Sequence, residues 1–127
     1  MFNKENYVNK SNVKQSYVVA FSGARTAKGG EILTGTSELS IDGHVGLRVG
    51  DIATYPDGRS AEIISGAGNA VCFDGVPMAI VGSVLSNGDT IVSSSTSLFT
   101  FNEIEGAPIP GLLEPGYRFF AVNGVQN

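Results

Sequence analysis

Short apolar runs, punctuated by Gly and by Asp-Gly pairs, divide this chain, and they recur in order. Ile41-Asp42-Gly43-His44-Val45-Gly46-Leu47-Arg48-Val49-Gly50-Asp51 returns as Phe73-Asp74-Gly75-Val76-Pro77-Met78-Ala79-Ile80-Val81-Gly82-Ser83. Upstream lie Ile32-Leu33-Thr34-Gly35 and Ile63-Ile64-Ser65-Gly66, and the pattern starts a third time at Ile91-Val92-Ser93-Ser94, ahead of Leu98-Phe99-Thr100-Phe101. A period of roughly 30 residues marks a repeated β unit. A unit this short buries its apolar face only by sharing it with its neighbours. The pattern predicts strands over residues 17–21, 31–33, 38–41 and 117–122. Asp42-Gly43 and Asp74-Gly75 read as hairpin turns, because both residue types tolerate positive φ. Further turns are expected over residues 54–59 and 87–89, and no stretch has the period of a helix of three turns.

These elements organise the chain into a loose polar leader over residues 1–16, a repeat domain over 17–101 and an extension over 102–127. Ile32, Ile63 and Ile91 hold the same repeat position and are expected to meet in a shared core. No Asp-Gly hairpin follows Phe101, so the third unit is incomplete. The extension, broken by Pro108, Pro110 and Pro115, is expected to pack back through residues 117–122 and complete that unit. Its aromatic group Tyr117, Phe119 and Phe120 reads as core closure, with an exposed partner patch as the alternative.

Composition narrows the function. Gly at 17 of 127 residues is about twice ordinary usage, and charged residues at 16% are too few for a disordered chain. A net charge of −4 leaves no footprint for nucleic acid or an anionic membrane. The single Cys72 forms no internal disulfide. The start, Met1-Phe2-Asn3-Lys4-Glu5-Asn6, has no secretory signal pattern, and no apolar run approaches the ~20 residues that span a bilayer. Synthesis and folding in a bacterial cytoplasm are expected, with any export by another route.

Candidate chemistry is sparse. His44 follows a hairpin turn and reads as solvent-facing rather than as a metal ligand. Cys72 sits between Val71 and Phe73, where it acts as a small apolar residue, and His44 is the single base type available to it. Asp42 and Asp74 have the residue type of paired catalytic carboxylates, but turn chemistry accounts for both. Gly29-Gly30 has neither the helix nor the Lys-Ser/Thr of a phosphate loop. Arg48 reads as a surface ion-pair or stacking residue, with an anion receptor as the alternative. No catalytic residue and no enzyme activity are expected.

The order Gly-x-Ile, Gly/Ser-x-Ser, strand, Asp-Gly, then x-Pro-x-Ala-x-x-Gly-Asp resembles the PAAR-repeat proteins over residues 22–101. Arg48, Gly50 and Asp51 match in the first copy, and Pro77, Ala79 and Gly82 in the second. Val45, Gly46 and Leu47 replace the Pro-Ala-Ala stretch of the first copy, and Ile80 and Ser83 replace the Arg and Asp of the second. The resemblance implies an all-β, conical domain with pseudo-threefold hairpin repeats. It would be a non-enzymatic tip on the trimeric spike of a type VI secretion system, contractile phage tail or related injection machine. One chain per trimer is implied, with cargo as a further possible partner, no nucleic acid and no stable membrane insertion. The family's metal, held by three His and one Cys, would draw its ligands from loops that here supply Arg25 to Lys28, Tyr55 and Pro56, and Asn87. None offers imidazole or thiolate, so no zinc is expected, with hydrogen bonds from Arg25, Lys28, Tyr55 and Asn87 in its place. A carbohydrate-binding or adhesive β module is the alternative, suggested by the many Ser, Thr and Asn. A small hydrolase is a second alternative, without a credible base.

Overall fold

A computed structural model describes residues 12–118 of the chain. Its strands are β1 (Val13–Val18), β2 (Ala24–Thr26), β3 (Glu31–Ile32), β4 (Ser40–Ile41), β5 (His44–Val45), β6 (Ile52–Thr54), β7 (Ser60–Glu62), β8 (Cys72–Phe73), β9 (Val76–Pro77), β10 (Ile91–Ser93) and β11 (Thr100–Ile104). Among the described residues the one helical element is a 3₁₀ turn, Gly68–Ala70. The domain is all-β.

Main-chain hydrogen bonds define the symmetry. Ala20 donates to the Ala79 carbonyl, Ala79 to Leu47, and Leu47 back to Ala20, closing a ring at 2.8–2.9 Å. Ser22 to Val45, Val49 to Pro77 and Val81 to Val18 form a second such ring at 2.8–3.0 Å. Residues 18–24, 45–51 and 77–83 are therefore the equivalent segments. Each turns at a glycine (Gly23, Gly50 and Gly82, with φ of 99°, 103° and 106°), where a side chain would be strained. Those glycine amides donate to Ile32, Ile63 and Ile91, each at 2.8 Å.

On one side of the ring the chain makes three hairpins that pair into one sheet, in the order β10-β2-β3-β6-β7. Bridges Ile63↔Leu85 and Val84↔Thr90 span the gap between its ends, which leaves no long open edge. Ile32, Ile63 and Ile91 are at most 1% exposed and lie in one core cluster with Ala20, Leu47 and Ala79. On the other side three arms project. Two are hairpins, β4–β5 and β8–β9, turned by Asp42-Gly43 and Asp74-Gly75 with all four φ between 52° and 82°. This is the turn type whose twist suits paired strands.

The third arm corrects two expectations. It is β1 paired with β11, in the register Tyr17↔Phe101 and Val18↔Thr100. Its attachment matches the others: the amides of Val19, Gly46 and Met78 donate to the carbonyls of Phe99, Leu39 and Val71. The incomplete third unit is thus completed from the N-terminal side, and residues 18–24 are the repeat copy that precedes the other two. Val13 to Ser16, read as loose leader, are strand, because β11 offers them an unpaired edge and residues 19–21 already lie in the core.

The extension leaves β11 and covers the second unit. Leu113 donates to the Gly66 carbonyl and Gly116 to Ile64, while Asn69 donates to Pro110. Leu112 and Leu113 pack on the arm-side core of Val19, Phe21, Ala67, Met78 and Ile80. The approach is close: a Cβ on Gly68 would stand 2.3 Å from the Pro110 carbonyl oxygen. Tyr117 is not in a strand, and residues 119–122 of the expected final strand lie outside the described residues.

Candidate functional site

The molecule offers two ends, and each is built by the repeat. At the arm end, equivalent positions carry cross-strand pairs: Ile41 with His44, Phe73 with Val76, and Phe101 with Tyr17. All six are half-buried, and the Tyr17 and Phe101 rings stack with centroids 5.4 Å apart. Beneath them Leu39, Val71 and Phe99 pack on the arm-side core. The result is a threefold band of partly exposed side chains, aliphatic or aromatic at every position except His44.

His44 and Cys72, the candidates with metal or nucleophile chemistry, fall in different arms at this end. His44 Nδ1 lies 3.1 Å from the Ser22 carbonyl oxygen. The Cys72 thiol donates to the Gly68 carbonyl at 3.0 Å, and burial pushes its pKa up, opposite to what a nucleophilic thiolate needs. Asp42 and Asp74 are exposed turn residues at positive φ. None of these assembles a reaction centre.

The motif residues hold the ring together. Asp51, 4% exposed, accepts the Arg48 amide at 2.9 Å and both the amide and hydroxyl of Thr36. At the equivalent place Ser83 accepts the Ile80 amide at 2.9 Å, so the Asp-to-Ser departure in the second copy preserves the bond. In the N-terminal copy that place is Ala24, and the Ser94 hydroxyl accepts the Phe21 amide instead. Pro77 and Ala79 belong to the two rings, and Gly50 and Gly82 turn the chain out of them.

Arg48 does something the sequence does not reveal. Its Nε donates to the Thr36 hydroxyl at 2.8 Å and its guanidinium to the Phe73 carbonyl at 2.9 Å. Its guanidinium carbon lies 6.0 Å from the Phe73 ring centroid. It thus joins the first unit to the second arm, by hydrogen bonds and not by an ion pair. Arg48→Ala is expected to cost about 1–3 kcal/mol, since two bonds from a charged donor are lost. A lowered Tm checks this. Arg48→Lys should recover little of it, because an ammonium cannot reproduce the planar fork.

At the loop end three tight turns converge. Thr26 donates to Gly30, Tyr55 to Arg59 and Leu85 to Asp89, at 2.8–2.9 Å, in equivalent turns. Lys28, Tyr55, Asp57, Arg59 and Asn87 line a dent of about 310 Å³ between them. Arg25, expected here, instead pairs with Glu31 on the outside of its hairpin. Asp89, missed at the sequence level as a turn residue, is 1% exposed and joins all three loops. It accepts the Lys28 amide at 3.1 Å, its own loop's Thr90 amide at 2.8 Å and the Tyr55 hydroxyl at 2.6 Å. Asn87 adds two bonds, from its amide nitrogen to the Tyr55 hydroxyl and to its oxygen from the Asp89 amide. Burial alone would raise the Asp89 pKa. The hydrogen bonds of the Thr26 and Tyr55 hydroxyls and the Thr90 and Lys28 amides outweigh it and hold the carboxyl below its usual value.

A family model described as the PAAR motif matches residues 22–93 of this chain. No curated protein matches it.

Proposed function

The chain belongs to the PAAR-motif family, and on that premise we propose that it caps a trimeric spike as the tip of a contractile injection machine. The motif is associated with the spike tips of type VI secretion systems, and the family is structural rather than enzymatic. The observation that carries the proposal is the closed ring of Ala20, Leu47 and Ala79. It gives a single chain threefold equivalence about one axis. The end of a symmetric trimer presents three identical patches, and one chain meets all of them only by repeating itself.

The arm end is the docking face in this proposal. Its three cross-strand pairs match a trimer's three patches, and contact would cover apolar side chains left half in water. The loop end then points away and meets the target membrane. The work is mechanical: sheath contraction drives the β domain, and a small leading end, its sheet bridged end to end, concentrates the force. The protein would leave the cytoplasm as part of the apparatus, with the extension over the second unit available for cargo. Among the described residues no helix is long and apolar enough to cross a membrane.

Mixing the protein with the trimeric spike protein of the same genome, followed by native mass measurement, tests this. One chain per trimer is expected. Absence of a complex with every such spike at micromolar concentration would overturn the proposal.

A further inference from the structure

The family's point implies a metal, and the residues at this loop end do not fit one. Zinc wants imidazole or thiolate donors with free lone pairs. The dent is lined instead by a lysine, an arginine, a tyrosine and an asparagine, with Asp57 already paired to Arg59 at 2.9 Å. The buried carboxylate, Asp89, has both oxygens engaged by donors: Oδ1 by the Lys28 and Thr90 amides, Oδ2 by the Tyr55 hydroxyl. Among the described residues no three His, Cys, Asp or Glu side chains cluster anywhere.

We propose that the ionised Asp89 carboxylate is itself the cross-link that gathers the three loops, so that the end holds its shape without a metal. A metal ion binds loops by drawing lone pairs inward to a positive charge. Asp89 inverts that polarity, drawing N–H and O–H donors inward to a negative one. Two loops each contribute a donor across space, the Lys28 amide and the Tyr55 hydroxyl, and Asn87 braces that hydroxyl from the other side at 3.1 Å. Charge-assisted bonds of this kind are about twice as strong as neutral ones. At the equivalent turn positions stand Gly30 and Arg59, neither of which is an acceptor side chain. One carboxylate therefore serves all three loops.

The pH dependence follows with a definite sign. The Asp89 pKa is lowered in the folded protein, so its stabilisation is full above the ordinary carboxylate pKa. It is lost as pH falls through the lower folded value. The neighbouring charged groups are Lys28, Arg59 and Asp57, and the Arg59 amide and guanidinium lower the Asp57 pKa as well. Because Asp57 adds its own acid response, the informative quantity is the difference between wild type and an Asp89 variant.

The test uses the full chain, its metal content by elemental analysis and its Tm with and without excess EDTA or added zinc chloride. No stoichiometric metal and an unchanged Tm are expected. Asp89→Asn should lower Tm at pH 7 by roughly 5–10 °C, with a shallower decline than wild type below pH 4. Tyr55→Phe, which removes the hydroxyl's bonds to Asp89 and Asn87 but leaves the carboxylate and its two amide donors in place, should lower it less, and keeps the test decisive if Asp89→Asn does not fold. One equivalent of retained metal, a chelator-sensitive Tm, or two variants melting like wild type would overturn the proposal. None of these readouts involves a spike, so they stand apart from the docking experiment.

Discussion

Ile63→Asp is expected to leave no folded protein at room temperature. Ile63 is fully buried and packs in the cluster that also holds Ile32, Ile91, Leu47 and Leu85. Its carbonyl accepts the Gly50 amide and its amide donates to Asp51, so the residue cannot swing its side chain out to water. An aspartate there is a charge without a partner, costing several kcal/mol even after protonation. A domain of this size has only about 5–15 kcal/mol of stability in total. Loss of the cooperative thermal transition and of the β circular-dichroism signal checks it. Ile63→Val, which removes one methylene, should keep the transition and cost about 0.5–1.5 kcal/mol. A folded Ile63→Asp with wild-type Tm would mean that the three isoleucines share no core.

Much of this core was visible from residue pattern alone, because local chemistry carries it. Asp42-Gly43 and Asp74-Gly75 announce their hairpins by residue type, and the repeated isoleucines announce a shared interior. How the third unit is completed was not visible, for a topological reason. Its arm joins Val13–Val18 to Thr100–Ile104, strands separated by most of the chain, so no hairpin turn announces their pairing. Its ring segment, residues 18–24, keeps only Ala20 and Gly23 of the motif, with Val18 in place of the proline and Ala24 where the others carry Asp51 and Ser83. A reader working by local similarity therefore counts from residue 31 and places the incomplete unit last.

Asp89 escaped for a different reason. Asn87-Gly88-Asp89 is good turn sequence, and it does form a turn, with Gly88 at a φ of 87°. Turn chemistry explains the residue types and so conceals a second role. Only the convergence of the Lys28 amide and the Tyr55 hydroxyl on the carboxylate separates Asp89 from Asp57, an exposed turn aspartate that bonds its own loop. Arg48 is similar: its partners Thr36 and the Phe73 carbonyl are 12 and 25 positions away, beyond any spacing rule for helices or strands.

A chain that begins at Val19 should fail to give soluble folded protein, although it keeps every residue of the PAAR-motif match. Deleting β1 removes the one strand that pairs with β11 among the described residues and breaks the second ring, where Val81 donates to the Val18 carbonyl. It also uncovers Phe101, which stacks on Tyr17, and leaves an unpaired strand edge that invites aggregation. The informative companion is a circular permutant. Joining the two chain ends through a flexible linker and reopening the chain between Asp42 and Gly43 moves the discontinuity from the third arm to the first. Since the arms are equivalent, the permutant should fold. It should melt below wild type, because the opened arm has two residue pairs where β1 and β11 have five. Gel filtration and thermal melts of both proteins decide the matter. If the Val19 chain folds as a monomer, or the permutant does not fold at all, then the third arm is an appendage and the symmetry of the domain does not depend on it.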